Sequence, residues 1–329
     1  MTIKTKFGAT RRNLAGIAAA AVLAIAASPA LAEFPEDTIH IVVPWKAGGG
    51  TDRIGRAIAS AFEEAAGVSV VVDNINGAGG VTGSLNVAKG KADGYTLLMN
   101  GSSDMTASMT FQPQLPISLD DFAFVGGFYN SPTWILSNAE RGYTSLEDLL
   151  EKAKAEPGTV TVGTAGPAGA QMLMAAAIKG SSGADFRIVP FSGGADLKKA
   201  LLGDQVDAGI IHAPVLLSEA QEGLITVIGT GEPLSNLTHE PLQGIATLED
   251  IGIPIKIGIT RGLFAPKDTP EVVLAKLREI AAEAAQSDGF KEFGESFGFR
   301  PVWVPGDEFE AQVRGELETF QKIKTDFID

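Results

Sequence analysis

At 329 residues, with a formal net charge of −14, 45% apolar and 20% charged side chains, the chain has the makeup of a globular protein and not of a disordered one. The acidic balance and the lack of any Lys/Arg cluster exclude a counterion-releasing surface, so nucleic acid is not an expected partner. With no cysteine there is neither a disulfide nor a lipidated N-terminal Cys, and stability must come from the core.

The first 32 residues carry Lys4, Lys6, Arg11 and Arg12, an apolar run from Leu14 to Ala27 and then Ala30-Leu31-Ala32. This is the pattern of a signal peptide cleaved after Ala32, too short in its apolar part to span a bilayer, and it predicts a periplasmic protein. Thr10 to Leu14 also fits a twin-arginine signal, so the export route stays open. Removal of the segment leaves 22 basic against 40 acidic side chains, a net charge of −18. That field opposes an incoming anion at long range, so any anion capture must rely on local dipoles.

The mature part reads as α/β. Thr38 to Val43 predicts a buried strand, Arg53 to Ala65 a helix with Ile54, Ile58, Ala61 and Phe62 on one face, Val68 to Val72 a second strand and Tyr95 to Met99 a third. A second series begins near Ser145, with helices over 146–155, 170–178 and 195–202 and strands over 159–163, 186–189, 206–211 and 224–228. The extended apolar stretches Thr133–Ser137 and Lys256–Phe264 predict two crossover strands between lobes. Thr269-Pro270-Glu271 and Asp307 open C-terminal helices, the last running towards Thr325 and packing back on the first lobe. The expected organisation is a signal peptide over 1–32, a discontinuous first lobe over 33–133 and 260–329, and a second lobe over 134–259.

Pro44-Trp45-Lys46-Ala47-Gly48-Gly49-Gly50-Thr51-Asp52 lies between the first strand and its helix. Glycines there let a ligand approach peptide N–H groups at a helix N-terminus, which suits an anion, although a tight turn alone would also use them. The arrangement recurs after the strand over 159–163, in Thr164-Ala165-Gly166-Pro167-Ala168-Gly169-Ala170-Gln171. Asn74 to Gly83 and Asn100-Gly101-Ser102-Ser103 either line the same cleft or turn the chain. Trp45 either walls the ligand or packs under the loop, Lys46 either meets a carboxylate or is solvated, and Asp52 is read as stabilising the helix start and the loop amides. No P-loop, G-x-G-x-x-G, G-x-S-x-G or H-E-x-x-H motif occurs, and three scattered histidines without cysteine make no zinc site. Of these, His40 reads as structural and His239 as solvated, whereas His212, ending a second-lobe strand, is placed to reach the cleft. No metal, cofactor or catalytic residue is expected.

Ile41–Asp52, Asn74–Gly83, Asp93-Gly94-Tyr95-Thr96-Leu97-Leu98, Val189-Pro190-Phe191, Gly203–Asp207 and Leu263-Phe264-Ala265-Pro266 occur in an order and spacing that resemble the extracytoplasmic solute receptors of tripartite tricarboxylate transporters, also called the Bug family. The resemblance implies a two-lobed Venus flytrap fold of the type II-like periplasmic binding proteins, closing on a small mono- or dicarboxylate held by backbone amides. Carried onto this sequence, those amides belong to Ala47–Thr51 and Thr164–Gln171, with Trp45, Asp52, Ser102 and His212 as further candidates at the site. Trp45, the Ile75-Asn76 pair and His212 depart from the family pattern and leave the ligand's identity open. The implied partner is a membrane permease, and a histidine-kinase sensor domain is the alternative; a monomer is expected.

Overall fold

The computed structural model describes residues 34–329 apart from 167, 235, 236, 240, 241 and 243, so the predicted export segment lies outside it. In chain order the first elements are β1 (Ile39–Val43), α1 (Gly50–Ala66), β2 (Val70–Asn74), α2 (Val81–Ala88), β3 (Thr96–Gly101), α3 (Ser102–Phe111) and β4 (Phe122–Asn138). There follow α4 (Leu146–Ala155), β5 (Thr161–Thr164), α5 (Ala170–Ser182), β6 (Arg187–Pro190), α6 (Gly194–Leu202), β7 (Ala208–His212), α7 (Leu217–Gln221) and β8 (Ile225–Thr230). The chain ends with β9 (Gly258–Pro266), α8 (Glu271–Gln286), α9 (Asp288–Phe297), β10 (Val304–Pro305) and α10 (Gly306–Phe327).

One continuous sheet runs β2-β1-β3-β9-β4-β7-β5-β6, with β8 and β10 also paired to β4. β1 is parallel to β2 and β3, and β5 is parallel to β6 and β7, as right-handed β-α-β crossovers require. The two parallel sets are joined by β4, whose first part pairs with β9 and whose last part pairs with β7 and β8. The chain therefore passes from one half of the sheet to the other near Ser131–Thr133, and it returns beside that point, where Thr133 N–H donates to Ile257 O at 3.2 Å.

α1 forms for the predicted reason: Ile54, Ile58, Ala61 and Phe62 make one buried stripe, and Gly67, left-handed at φ 70°, closes the C-terminus by donating its N–H to Glu63 O. α3 carries no such stripe. Its small residues Ser102, Ser103, Thr106, Ala107, Ser108 and Thr110 are buried round the whole circumference, so no amphipathic period marks it.

Val42, Leu98, Phe124, Phe264, Phe309 and Val313 pack together on the first half of the sheet. Leu149, Val162, Leu173, Met174, Ala208 and Ile228 form the core of the second half. α10 contributes to both: Phe309 and Val313 belong to the first core, but Phe320 and Ile323 belong to the second. The tail helix thus does more than return to the first lobe, because its last two turns bury Phe320 and Ile323 on the other one.

Candidate functional site

The strand registers bring the two glycine loops to facing edges. β3 ends at Gly101 opposite Arg261, which is opposite Tyr129 of β4. β7 ends at His212 opposite Thr133 of β4, and beside it β5 ends with Thr164 opposite Ile210. The carboxyl ends of both parallel sets therefore converge on Tyr129–Thr133, about 13 Å of extended chain. Ligands of open α/β sheets sit outside such carboxyl ends.

On the first side, Ala47 to Gly50 are exposed, as is Lys46, and Thr51 is half-buried. Gly49 is the N-cap of α1 and no side chain caps the helix, so the amides of its first turn lack intrahelical partners. Gly48 needs its lack of a side chain for the left-handed φ of 84°, and its N–H donates to Asp52 Oδ2 at 2.8 Å. Gly49 and Gly50 have no comparable reason. A Cβ at Gly50 would meet nothing within 4 Å, and one at Gly49 would meet only Lys46 O at an ordinary 3.5 Å. Their bareness serves nothing in the protein's own packing.

Asp52 lies buried beneath the loop and also accepts from Arg56 Nε at 3.0 Å and Asn74 Nδ2 at 2.9 Å. Burial pushes its pKa up, but the hydrogen bonds from Arg56, Gly48 and Asn74 outweigh it and hold the carboxyl below its usual value. Asn74 Nδ2 is shared with Trp45 O at 3.0 Å, so one carboxylate and one amide fix both ends of the loop. Trp45 is half-buried, donates Nε1–H to Asn100 Oδ1 at 3.2 Å and lies against Gly80. Ser102 faces inward, its Oγ accepting the Thr260 N–H at 3.1 Å.

On the second side Thr164 is buried, with Oγ1 donating to Gly166 O at 3.0 Å across the turn, while Ala165, Gly166, Ala168 and Gly169 are half-buried. Gly169 is the N-cap of α5, again without a side-chain cap, and Ala170 and Gln171 of its first turn are buried. His40, by contrast, is exposed on β1, between β2 and β3, 2.8 Å from Asp73.

Between the two loops lies a buried polar floor that sequence reasoning did not assemble. His212 shares Nδ1 with Thr133 Oγ1 at 2.8 Å, and its Nε2 stands 3.9 Å from Asp104 Oδ1. Asp104 Oδ2 stands 3.6 Å from Arg261 Nη1. Burial, then the charge of Arg261, pushes the His212 pKa down to about 3, so the imidazole is neutral. Burial raises the Asp104 pKa and Arg261 partly opposes this. Behind α3, Glu316 accepts from Thr106 Oγ1 at 2.9 Å; burial pushes its pKa up to about 8, and Glu232 and Asp104 add to the rise. The available signal was Arg261, one cation inside an otherwise apolar extended run.

Residues 54–324 match the family described as Tripartite tricarboxylate transporter family receptor. The chain belongs to that family. Protein BugT of Bordetella pertussis is 29% identical to this receptor over 306 residues, which is 92% of this chain and 93% of BugT. A TctC solute binding protein from Polaromonas superposes with a TM-score of 0.76 at 25% identity, over 89% of this receptor and 99% of that chain. MatC from Rhodopseudomonas palustris with bound malate superposes with a TM-score of 0.74 at 23% identity, over 88% of this chain and 99% of its own. The receptor therefore has the two-lobed solute-binding fold, with the two parallel sets as the sheets of its lobes and β4 and β9 at their junction. The family match starts at Ile54, downstream of the first glycine loop, so the loop's reading rests on its own geometry.

Proposed function

We propose that this receptor captures a small carboxylate in the periplasm with the backbone amides of its two glycine loops and delivers it to a tripartite tricarboxylate-type permease. The lobes in this reading are 33–133 with 260–329, and 134–259, turning about the strands that join them. The supporting observation is that Gly49 and Gly50, whose bareness the fold does not need, stand at an uncapped helix N-terminus facing a second uncapped N-terminus at Gly169. Each N-terminus acts as roughly half a positive charge, which offers an anion local attraction on a protein whose overall field repels it. An anion gripped by both loops holds the two lobes closed, because only the closed state makes both sets of contacts. Malate in MatC and adipate in a second R. palustris structure of this fold support the carboxylate class.

The test is titration calorimetry of C3 to C6 mono- and dicarboxylates against wild type and Gly50→Ala. A Cβ at Gly50 enters open space, so the variant should keep its melting temperature within about 2 °C while binding at least tenfold more weakly, about 1.4 kcal/mol. Unchanged affinity in a folded Gly50→Ala protein would remove the first loop from the site.

A further inference from the structure

Three buried polar atoms beside Asp104 have no hydrogen-bond partner among the described residues: His212 Nε2, and Nε and Nη1 of Arg261. His212 and Arg261 are each 7% exposed, so bulk solvent does not satisfy them. The nearest approaches within the group, 3.6 Å from Arg261 and 3.9 Å from His212 to the Asp104 oxygens, are longer than hydrogen bonds. Native proteins leave few buried polar groups unpaired, and a cluster of three indicates a partner from outside the chain. The groups come from both lobes and from their junction: Asp104 from the first turn of α3, His212 from the end of β7, Arg261 from β9. They lie on the floor towards which both glycine loops face.

Resting on the reading of those loops as the grip on one carboxylate, we infer that the floor selects the ligand's far end, and that it takes an uncharged group with both a hydrogen-bond donor and an acceptor, such as a primary amide or a hydroxyl, over a second carboxylate. The charges decide this. Arg261 and Asp104 cancel, and His212 is neutral, so the floor carries no net charge. A second carboxylate would find Arg261 but lie against Asp104; an ammonium would find Asp104 but lie against Arg261. Like charges brought together away from water are strongly disfavoured. A primary amide avoids both penalties: its N–H donates to Asp104, and its oxygen accepts from Arg261. His212 Nε2 completes the ring as donor or acceptor, according to the tautomer its Nδ1 shares with Thr133. A hydroxyl, donor and acceptor in one atom, satisfies the same pair.

The test compares succinate, glutarate and adipate with their monoamides, and with butyrate and valerate, by calorimetry on the mature protein at pH 7.5. A monoamide should bind at least tenfold tighter than its matched diacid. Asp104→Asn, which removes the negative charge, should narrow or reverse that ratio while leaving butyrate and valerate within twofold. Diacids binding as tightly as monoamides to wild type, or a ratio untouched by Asp104→Asn, would overturn the inference while leaving carboxylate capture in place. If no compound in the series binds, monocarboxylates included, the failure lies with the loops as an anion grip and the floor falls with it.

Discussion

Asp52→Asn is isosteric, yet it should loosen the whole first loop. The wild-type Oδ2 accepts from both Gly48 N–H and Arg56 Nε, and Oδ1 accepts from Asn74. Asparagine keeps the Asn74 bond at best and turns an NH2 towards two donors. Hydrogen bonds to a charged group are worth about 1.5–3 kcal/mol each, but the Arg56 side chain is 53% exposed and recovers most of its loss from water. The expected cost is about 2–4 kcal/mol, read from urea unfolding at pH 7. The pH dependence separates this from ordinary repacking. Because the folded pKa of Asp52 is depressed, its stabilisation is present above the unfolded value of about 3.9 and disappears as pH falls through the folded value. The gap between wild type and variant should therefore close in acid. A difference below about 0.5 kcal/mol at pH 7, or one that persists unchanged to pH 2, would refute the assignment of Asp52 as the loop's clamp.

Glu316→Gln should act at the other end of the pH scale. The folded pKa of about 8 lies above the ordinary glutamate value of 4.5, so wild-type stability is fully present below 4.5 and drains away up to about pH 8; the variant should flatten this decline, and parallel urea-unfolding profiles would contradict it. His212 has the opposite sign. With its folded pKa of about 3 below 6.5, it destabilises the protein as pH falls from 6.5 towards 3, a limb that His212→Gln should remove from thermal melts. Phe320→Ala, at a fully buried position of α10, should cost about 3–5 kcal/mol of unfolding free energy; a loss under about 1 kcal/mol would mean that the second core does not depend on the tail helix.

The first strand, its glycine loop and its helix were legible because β-branched residues, glycines and a 3.6-residue stripe follow one another without interruption. β4 was legible only at its end. Its earlier part contains Gly126 and Gly127, a residue type that weakens the strand signal, and a Cβ at Gly126 would come within 2.2 Å of the Trp303 ring and one at Gly127 within 2.7 Å of Thr260. Those glycines admit neighbours to the strand instead of ending it. α2 and α3 were missed for a related reason, since Ser, Thr, Gly and Ala can be buried without leaving a hydrophobic period. Of the site, the loops announced themselves by composition. Of the floor only His212 was marked, as the end of a strand; Asp104 and Arg261 are ordinary residues singly and acquire meaning only when the strand pairing sets them beside it.

α10 leaves its own mark on how such a trap can swing. A pair of strands allows rotation, but this helix is a third tie, moored to one lobe by Phe309 and Val313 and to the other by Phe320 and Ile323. Between the moorings stands Gly315, where a Cβ would meet nothing within 4 Å and where a helix yields more readily than at any side-chain-bearing residue. A wide gape would have to tear two buried side chains loose, whereas a shallow flexure at Gly315 keeps all four anchored, so the tail limits how far the jaws can part.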